Sequence, residues 1–145
     1  MRAPHPIVLD TNIVLDVFVF NDPAAEPIRQ ALAHNERHWL ATQPMREELA
    51  RVLAYPKIAA RLSFYKLTAD AVLTQFDQHT QLVDVASKAN VTCSDPDDQG
   101  FIDLAVAHQA ILLSKDKAVT SMARRLLPLG AHVLAARQFG ALGVS

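Results

Sequence analysis

The sequence contains little of what several protein classes require. Its single cysteine, Cys93, excludes an internal disulfide and a thiolate metal cluster, and we expect it to pack as a small hydrophobic side chain. Its four glycines form no glycine-rich phosphate turn, which argues against a Rossmann nucleotide site. No apolar run approaches the roughly 18 residues of a membrane span. The net charge of −1 gives no global attraction for nucleic acid, so such binding would need a local basic patch.

The rest of the composition is that of a folded globular chain. Half of the 145 residues are hydrophobic and one fifth are charged, which is typical of an ordered protein. No linker or internal repeat divides the chain, so we predict a single domain over residues 1–145. The first six residues do not have the pattern of a secretory signal, and we therefore expect a cytoplasmic protein.

Short apolar runs alternate with helix-like segments along the chain. Strands are predicted over residues 7–9, 38–41, 82–85, 111–114 and 131–134. Helices are predicted over residues 13–20, 23–33, 44–54, 68–80, 99–109 and 118–127, while residues 57–66 form a basic, aromatic stretch to which we assign no element. Strands that alternate with helices indicate parallel βα units, and therefore an α/β sandwich.

Two acidic residues stand where predicted strands end. Asp10 follows the first strand, and Asp116 follows the fourth. In open α/β sheets, ligands bind beyond the carboxyl ends of the strands, so we expect these two carboxylates at one edge of the sheet. Each could alternatively act only as the N-cap of the helix that follows it.

Glu48 is an acidic residue on the buried side of its predicted helix. It shares the apolar stripe of Met45 and Val52, whereas its neighbour Glu47 faces the opposite way. A carboxylate on a buried face is costly unless another group partners it. We interpret Glu48 as a site residue, and the alternative is a salt bridge to a neighbouring arginine.

Asp98 begins the most apolar helix of the chain, which we expect to be central and covered. Asp95 and Asp97 compete with it for the same sheet edge, and N-capping alone could explain one or two of the three. Asp103 lies five residues after Asp98, so on an ideal helix it faces elsewhere.

Four carboxylates in one cleft require a cation. At an effective dielectric constant near 20, each pair about 4 Å apart repels by roughly 4 kcal/mol. Oxygen ligands favour Mg²⁺ or Mn²⁺, whereas Zn²⁺ would need histidine or cysteine, and the six histidines are scattered. Mg²⁺ held by carboxylates commonly serves phosphoryl-transfer chemistry.

A run of cations surrounds and follows the Glu48 helix. Phe64 and Tyr65 lie among them. Cations bind phosphates and aromatic rings stack on the bases of a single strand, so this run is a candidate RNA-binding surface. The alternative is a solvated helix face with its aromatic rings packed inward. The five candidates are Arg46, Arg51, Lys57, Arg61 and Lys66.

At these positions the chain resembles the PIN-domain ribonucleases, and particularly the toxin components of bacterial toxin–antitoxin pairs. The matching segments are residues 8–12 (VLDTN), 47–53 (EELARVL), 95–98 (DPDD), 103–105 (DLA) and 113–116 (LSKD). Each segment alone is a weak signal, but their joint order and spacing are fairly specific, and they cover nearly the whole chain.

The resemblance implies a three-layer α/β/α sandwich around a parallel sheet of about five strands. It also implies an endoribonuclease that uses Mg²⁺ or Mn²⁺ to activate the water that hydrolyses RNA phosphodiester bonds. Asp103 becomes a candidate auxiliary ligand, Asn12 and Ser114 become supporting residues, and Lys115 places a cation beside the site. The catalytic and metal-binding positions would be Asp10, Glu48, Asp98 and Asp116.

The toxin resemblance further implies a cognate antitoxin protein that blocks the acidic cleft. The first helix is so apolar over residues 13–18 that we expect part of it to join a homodimer or antitoxin interface. The alternative function is a catalytically inert PIN-fold module that acts through protein contacts. Because all four acids are present, we favour the enzyme.

Overall fold

The computed structural model describes residues 5–142, with side chains through Phe139. Its centre is a sheet of five parallel strands in the order β3-β2-β1-β4-β5. The strands are β1 (Ile7–Leu9), β2 (Trp39–Ala41), β3 (Thr80–Leu82), β4 (Ile111–Leu113) and β5 (His132–Leu134). The central strands β1 and β4 pair in register, with Leu9 opposite Leu113.

Helices connect the strands and cover both faces of the sheet. They are α1 (Thr11–Phe18), α2 (Glu26–Ala33), α3 (Gln43–Leu53), α4 (Pro56–Phe64), α5 (Ala69–His79), α6 (Gln99–His108), α7 (Lys117–Thr120), α8 (Ala123–Leu126) and α9 (Ala136–Leu142). Short 3₁₀ turns occupy Pro23–Ala25, Pro96–Asp98 and Leu127–Leu129.

The side chains of β1 alternate between two hydrophobic cores. Ile7 and Leu9 pack with residues of α1, α2, α3, α5 and α9, whereas Val8 packs with residues of α6, α7 and α8. Cys93 is buried in the second core, as expected for a small hydrophobic side chain. Helix α6 is covered, with Ile102 and Leu104 fully buried. The predicted three-layer α/β/α fold is confirmed.

Residues 57–66 are mainly helical, although the sequence analysis assigned no element to them. Helix α4 begins at Pro56, where the sequence predicts only the end of the preceding helix. Proline suits the first turn of a helix because the N–H it lacks would have no intrahelical partner there. The same residue therefore separates α3 from α4 and begins α4.

Two other predicted elements are wrong in position or continuity. The third strand occupies Thr80–Leu82 instead of residues 82–85, because it is an exposed edge strand that needs few apolar residues. The predicted helix over residues 118–127 is divided into α7 and α8, since the N–H of Met122 bonds to the carbonyl of Val119, three residues back. Helix α9 was not predicted.

The prediction that α1 carries uncovered apolar surface is wrong. Ile13, Val14, Leu15 and Val17 are each at most 3% exposed, because α1 packs between the sheet and its neighbouring helices. A homodimer therefore stays a prediction, without the support of the helix on which it rested.

The prediction about a secretory signal falls partly on residues 1–4, which lie outside the described residues. Within residues 5–142, no helix is long and apolar enough to cross a membrane.

Candidate metal centre

Asp10 lies at the carboxyl edge of the sheet, where β1 ends and α1 begins. Asp10 is 3% exposed, and both of its carboxylate oxygens have donors. Oδ1 accepts a hydrogen bond from the N–H of Ile13 at 2.9 Å, and Oδ2 accepts one from the hydroxyl of Ser114. Burial raises the pKa of Asp10, while the hydrogen bonds from Ser114 and Ile13 act in the opposite direction.

Asp116 lies beside Asp10 because β4 is the neighbour of β1. Its Oδ1 caps α7 by accepting from the N–H of Ala118 at 2.9 Å. The Asp116 N–H donates to the Ser114 hydroxyl oxygen at 3.1 Å, so Ser114 connects the two acids. Asp10 and Asp116 are therefore both caps and neighbours, and the capping alternative does not exclude a role in the site.

The turn before α6 brings two more acids to this edge. Asp95 caps the 3₁₀ turn by accepting from the N–H of Asp97 at 3.0 Å. One carboxylate oxygen from each of Asp95, Asp98 and Asp116 lies within 4.8 Å of the other two. The sequence predicts that Asp95 competes with Asp98 for this edge, whereas the structure places both in one group.

One oxygen of Asp98 is buried without a partner. Oδ2 is shielded from solvent and forms no hydrogen bond with any described residue. Burial and the nearby carboxylates of Asp116, Asp95 and Asp10 raise the pKa of Asp98 to about 7. A buried, unpaired oxygen among carboxylates indicates a missing cationic or proton-donating partner.

Glu48 projects from α3 toward the same edge and is half-buried. Its Oε2 accepts a hydrogen bond from the hydroxyl of Thr11 at 3.0 Å. The alternative of a salt bridge to an arginine is not observed among residues 5–142. Thr11 was not identified from the sequence, because a contact between residues 37 positions apart leaves no local pattern.

Three of these acids line a cleft of about 260 Å³, which we call the acidic cleft. Asp10, Glu48 and Asp98 all contribute to its wall. A second cleft of about 240 Å³, the side cleft, shares the walls formed by Glu48 and Phe101. The predicted convergence of acids from distant parts of the chain is therefore present in the fold.

A family model described as "PIN domain" matches residues 6–118. The chain belongs to the PIN domain family. The matched range contains all four acids of the predicted set. No curated protein sequence matches the chain significantly. PIN domains are generally metal-dependent nucleases, so membership indicates nuclease chemistry, and the acidic cluster is compatible with a divalent metal.

The residues of this PIN domain fit such a metal. The donors are carboxylate oxygens, which Mg²⁺ and Mn²⁺ prefer, and the group of three described above contains no histidine or cysteine. The unpartnered Oδ2 of Asp98 is a free acceptor of the kind that a cation would satisfy. Cys93 is buried elsewhere, in the second hydrophobic core.

Two residues that the resemblance suggested lie less centrally in the PIN domain. Asp103 lines the side cleft and is outside the group of three, and its Oδ1 accepts hydrogen bonds from the N–H of Ala89 and the amide of Gln99. Asn12 is exposed and lines the acidic cleft. The side-chain support of Asp10 comes from Ser114, whereas no bond from Asn12 to Asp10 occurs within the described residues.

Lys115 pairs with Asp16, and its charge also opposes the rise that burial causes in the pKa of Asp10. Its ammonium donates to both carboxylate oxygens of Asp16, at 3.1 and 2.8 Å. Asp16 lies on α1 and is only 6% exposed. This ion pair joins the turn after β4 to α1, and no local sequence pattern identifies Asp16 as the partner of Lys115.

Two of the five candidate RNA-binding cations have protein partners. Arg46 forms two hydrogen bonds of 2.8 Å with Asp77 of α5. Arg61 lies over the ring of Phe20, at 4.9 Å from its centroid, and near Tyr65. Both guanidinium groups therefore already contact other side chains of the protein and are less available to bind RNA phosphates.

The other candidates are exposed. Lys57 and Lys66 are on the surface, and Arg51 lines the side cleft. Phe64 is 78% exposed, which contradicts the alternative that it packs inward. Of the five candidates, Arg51, Lys57 and Lys66 are therefore the exposed ones without a side-chain partner among the described residues, and Arg51 lines the side cleft.

Proposed function

We propose that this PIN domain is a metal-dependent endoribonuclease and the toxin of a toxin–antitoxin pair. The observation that carries the proposal is the unpartnered Oδ2 of Asp98, beside Asp95 and Asp116 and in the same cleft as Asp10 and Glu48. Such an arrangement is unfavourable without a cation, because the carboxylates repel one another in a partly buried space.

The acids have different roles in this proposal. Asp10, Glu48 and Asp98 would hold Mg²⁺ or Mn²⁺, while Asp116 and Asp95 complete the negative charge around it. A divalent cation bound there would supply a Lewis acid for the phosphoryl oxygens and lower the pKa of the attacking water. Ser114 and Thr11 orient Asp10 and Glu48 by donating hydrogen bonds to their carboxylates.

The test is cleavage of single-stranded RNA in the presence of Mg²⁺ or Mn²⁺. We expect the wild-type chain to cut the RNA and Asp10→Asn to lose at least about a hundredfold in rate, since even indirect support of a ligand is worth tens-fold. Asp70→Asn, on the exposed first turn of α5, makes the same chemical change elsewhere and should remain active. Equal cleavage by wild type and Asp10→Asn would contradict the proposal.

The inert binding module is distinguished from the enzyme by metal binding. Calorimetry with Mn²⁺ should give a binding signal for the wild-type chain that is lost in Asp98→Asn, because Asp98 has the unpartnered oxygen. An inert module would neither bind Mn²⁺ nor cleave RNA.

The toxin assignment rests on the resemblance of the acidic motifs and has its own test. Expression of the wild-type chain in bacteria should arrest growth, and Asp10→Asn should not. We expect the antitoxin to place basic side chains at the acidic cleft, because electrostatic complementarity governs such interfaces. Normal growth despite RNA cleavage in vitro would reject the toxin role and leave the ribonuclease.

A further inference from the structure

The side cleft lies directly beside the proposed cleavage site. It shares Glu48 and Phe101 with the acidic cleft, and its volume of about 240 Å³ is similar. A strand whose phosphate lies at the carboxylates of the acidic cleft would therefore bring an adjacent nucleotide to the side cleft.

Gly100 keeps one wall of the side cleft open. A Cβ atom at this position would meet no atom within 4 Å, so the packing of α6 does not require glycine. Glycine weakens a helix relative to alanine, and helical propensity does not favour it here either. Its structural effect is the space that a longer side chain would fill.

The remaining walls combine apolar surface with one exposed cation. Met45, Val85 and Phe101 provide apolar surface, and Val85 is 66% exposed. Arg51 is exposed at the edge of the cleft, and no side-chain hydrogen bond or ion pair engages it within residues 5–142. Apolar surface packs against the face of a base, and a guanidinium binds phosphate.

Two carboxylates of the side cleft have oxygens available to accept hydrogen bonds from a base. Asp97 is exposed, and Asp103 uses its Oδ1 for Ala89 and Gln99, so its Oδ2 is the oxygen left for a ligand. Carboxylate oxygens accept hydrogen bonds from the amino groups of cytosine and adenine. Uracil presents a carbonyl oxygen in place of the cytosine amino group, and a carboxylate repels it.

We propose that the side cleft is a base-binding subsite for single-stranded RNA that prefers cytosine or adenine to uracil. This inference rests on the proposed ribonuclease function and adds a substrate preference to it. Asp97 and Asp103 read the amino group, Arg51 binds the backbone phosphate, and Gly100 leaves room for the base.

The first test measures binding without cleavage. Fluorescence anisotropy would follow short labelled oligo-C, oligo-A and oligo-U with the Asp10→Asn chain in Mg²⁺. We expect oligo-C and oligo-A to bind about tenfold more tightly than oligo-U, which is the discrimination that a base contact typically gives. Equal affinity for the three oligonucleotides would overturn the proposal.

The second test fills the cleft. In the same background, Gly100→Trp should lower the affinity for oligo-C about tenfold, to the level of oligo-U. Ala71→Trp adds the same side chain on the exposed face of α5 and should leave binding unchanged. A folded Gly100→Trp chain that binds oligo-C as tightly as its parent would contradict the proposed subsite.

A third variant keeps the proposal testable if Gly100→Trp does not fold. Asp97→Asn changes only an exposed side chain, and its amide can donate a hydrogen bond to a uracil carbonyl as well as accept one. The preference for oligo-C over oligo-U should therefore narrow severalfold. An unchanged preference would exclude Asp97 as the discriminating residue and overturn the proposal.

The outcomes separate the subsite from the enzyme. Base-selective binding that Gly100→Trp removes, without cleavage by the wild-type chain, would reject the ribonuclease and retain the subsite. Cleavage that depends on Asp10 but shows neither base preference nor sensitivity to Gly100→Trp would retain the ribonuclease and reject the subsite.

Discussion

The turn after β1 and the turn before α6 hold their acids in opposite ways. Asp10, in the first, is almost completely buried, yet each of its oxygens has a hydrogen-bond donor. Asp98, in the second, is more exposed, yet its Oδ2 has no donor and its neighbours are acids. Its pKa nevertheless rises to about 7.

The difference shows that hydrogen-bond donors affect the state of a carboxyl group at this edge of the sheet as much as its burial does. In the first turn the carboxylate of Asp10 is already held in one orientation by hydrogen bonds from Ile13 and Ser114. The second turn lacks positive charge, and a cation would supply it. A metal would therefore bind one carboxylate that is already held in place, Asp10, and one from which it must displace a proton, Asp98.

The largest expected effect follows from removing the unpartnered carboxylate. Asp98→Asn should reduce RNA cleavage at least about a hundredfold, because a ligand should matter more than the groups that support ligands. The rate of cleavage of single-stranded RNA in Mn²⁺ measures this, with Asp70→Asn as the matched control. An active Asp98→Asn enzyme would mean that the turn before α6 lies outside the metal centre.

Metal should stabilise the folded chain through the same turn. At an Mn²⁺ concentration a hundred times its Kd, the free energy of unfolding should rise by about 2.7 kcal/mol. Thermal unfolding with and without Mn²⁺ would measure the shift, and Asp98→Asn should lose most of it. An equal shift in both chains would indicate that Mn²⁺ binds at another place.

The support of Asp10 can be weakened separately. Ser114→Ala removes the donor to Asp10 Oδ2 and should cost about 1.5 kcal/mol of stability, since this bond goes to a buried, charged acceptor. It should also weaken Mn²⁺ binding about tenfold. Chemical denaturation and calorimetry measure the two losses, and Ser63→Ala on exposed α4 is the control. Unchanged Mn²⁺ affinity would show that Asp10 needs no such orientation.

The smallest expected effect is on the pH dependence of metal-free stability. The pKa of Asp98 is about 7 in the folded chain and near 3.8 in the unfolded chain, so the folded state binds more protons between these values. Asp98 therefore lowers stability as the pH rises from about 4 to about 7. The effect is modest because the carboxyl is partly exposed to solvent.

Melting temperatures of wild type and Asp98→Asn across this range would isolate the contribution of Asp98. The advantage of Asp98→Asn should increase toward neutral pH without metal. Saturating Mn²⁺ should reverse the trend, because the cation binds the deprotonated carboxylate. A constant difference between the two chains would contradict the raised pKa.

The sequence predicted best what the strands themselves position. Asp10 and Asp116 follow neighbouring parallel strands, so their placement depends only on the sheet topology. Helical periodicity placed Glu48 on the inner side of α3, where the structure has it. The parallel α/β class follows from the same alternation of strands and helices, and the three-layer PIN fold followed from the resemblance.

The sequence did not predict contacts that join distant residues. Thr11 reaches Glu48 across 37 positions, and Lys115 reaches Asp16 across 99. Such pairs depend on the final packing of α1 against its neighbours, and no local pattern records them. The exposed strand β3 and the start of α4 at Pro56 were missed because few apolar side chains mark an edge strand, and proline can end or begin a helix.

The bond between Lys115 and Asp16 has a consequence for how strongly the chain attracts divalent ions. The ammonium of Lys115 pairs with the buried carboxylate of Asp16 on α1, while its charge still opposes the rise that burial causes in the pKa of Asp10. Asp16→Asn would remove the ion pair and leave the ammonium of Lys115 free to compete with Mn²⁺ for the carboxylates. Half-saturation of the site should therefore need a higher Mn²⁺ concentration. The carboxylate of Asp16 would thus limit how far the ammonium of Lys115 competes with a divalent ion for the acidic cluster.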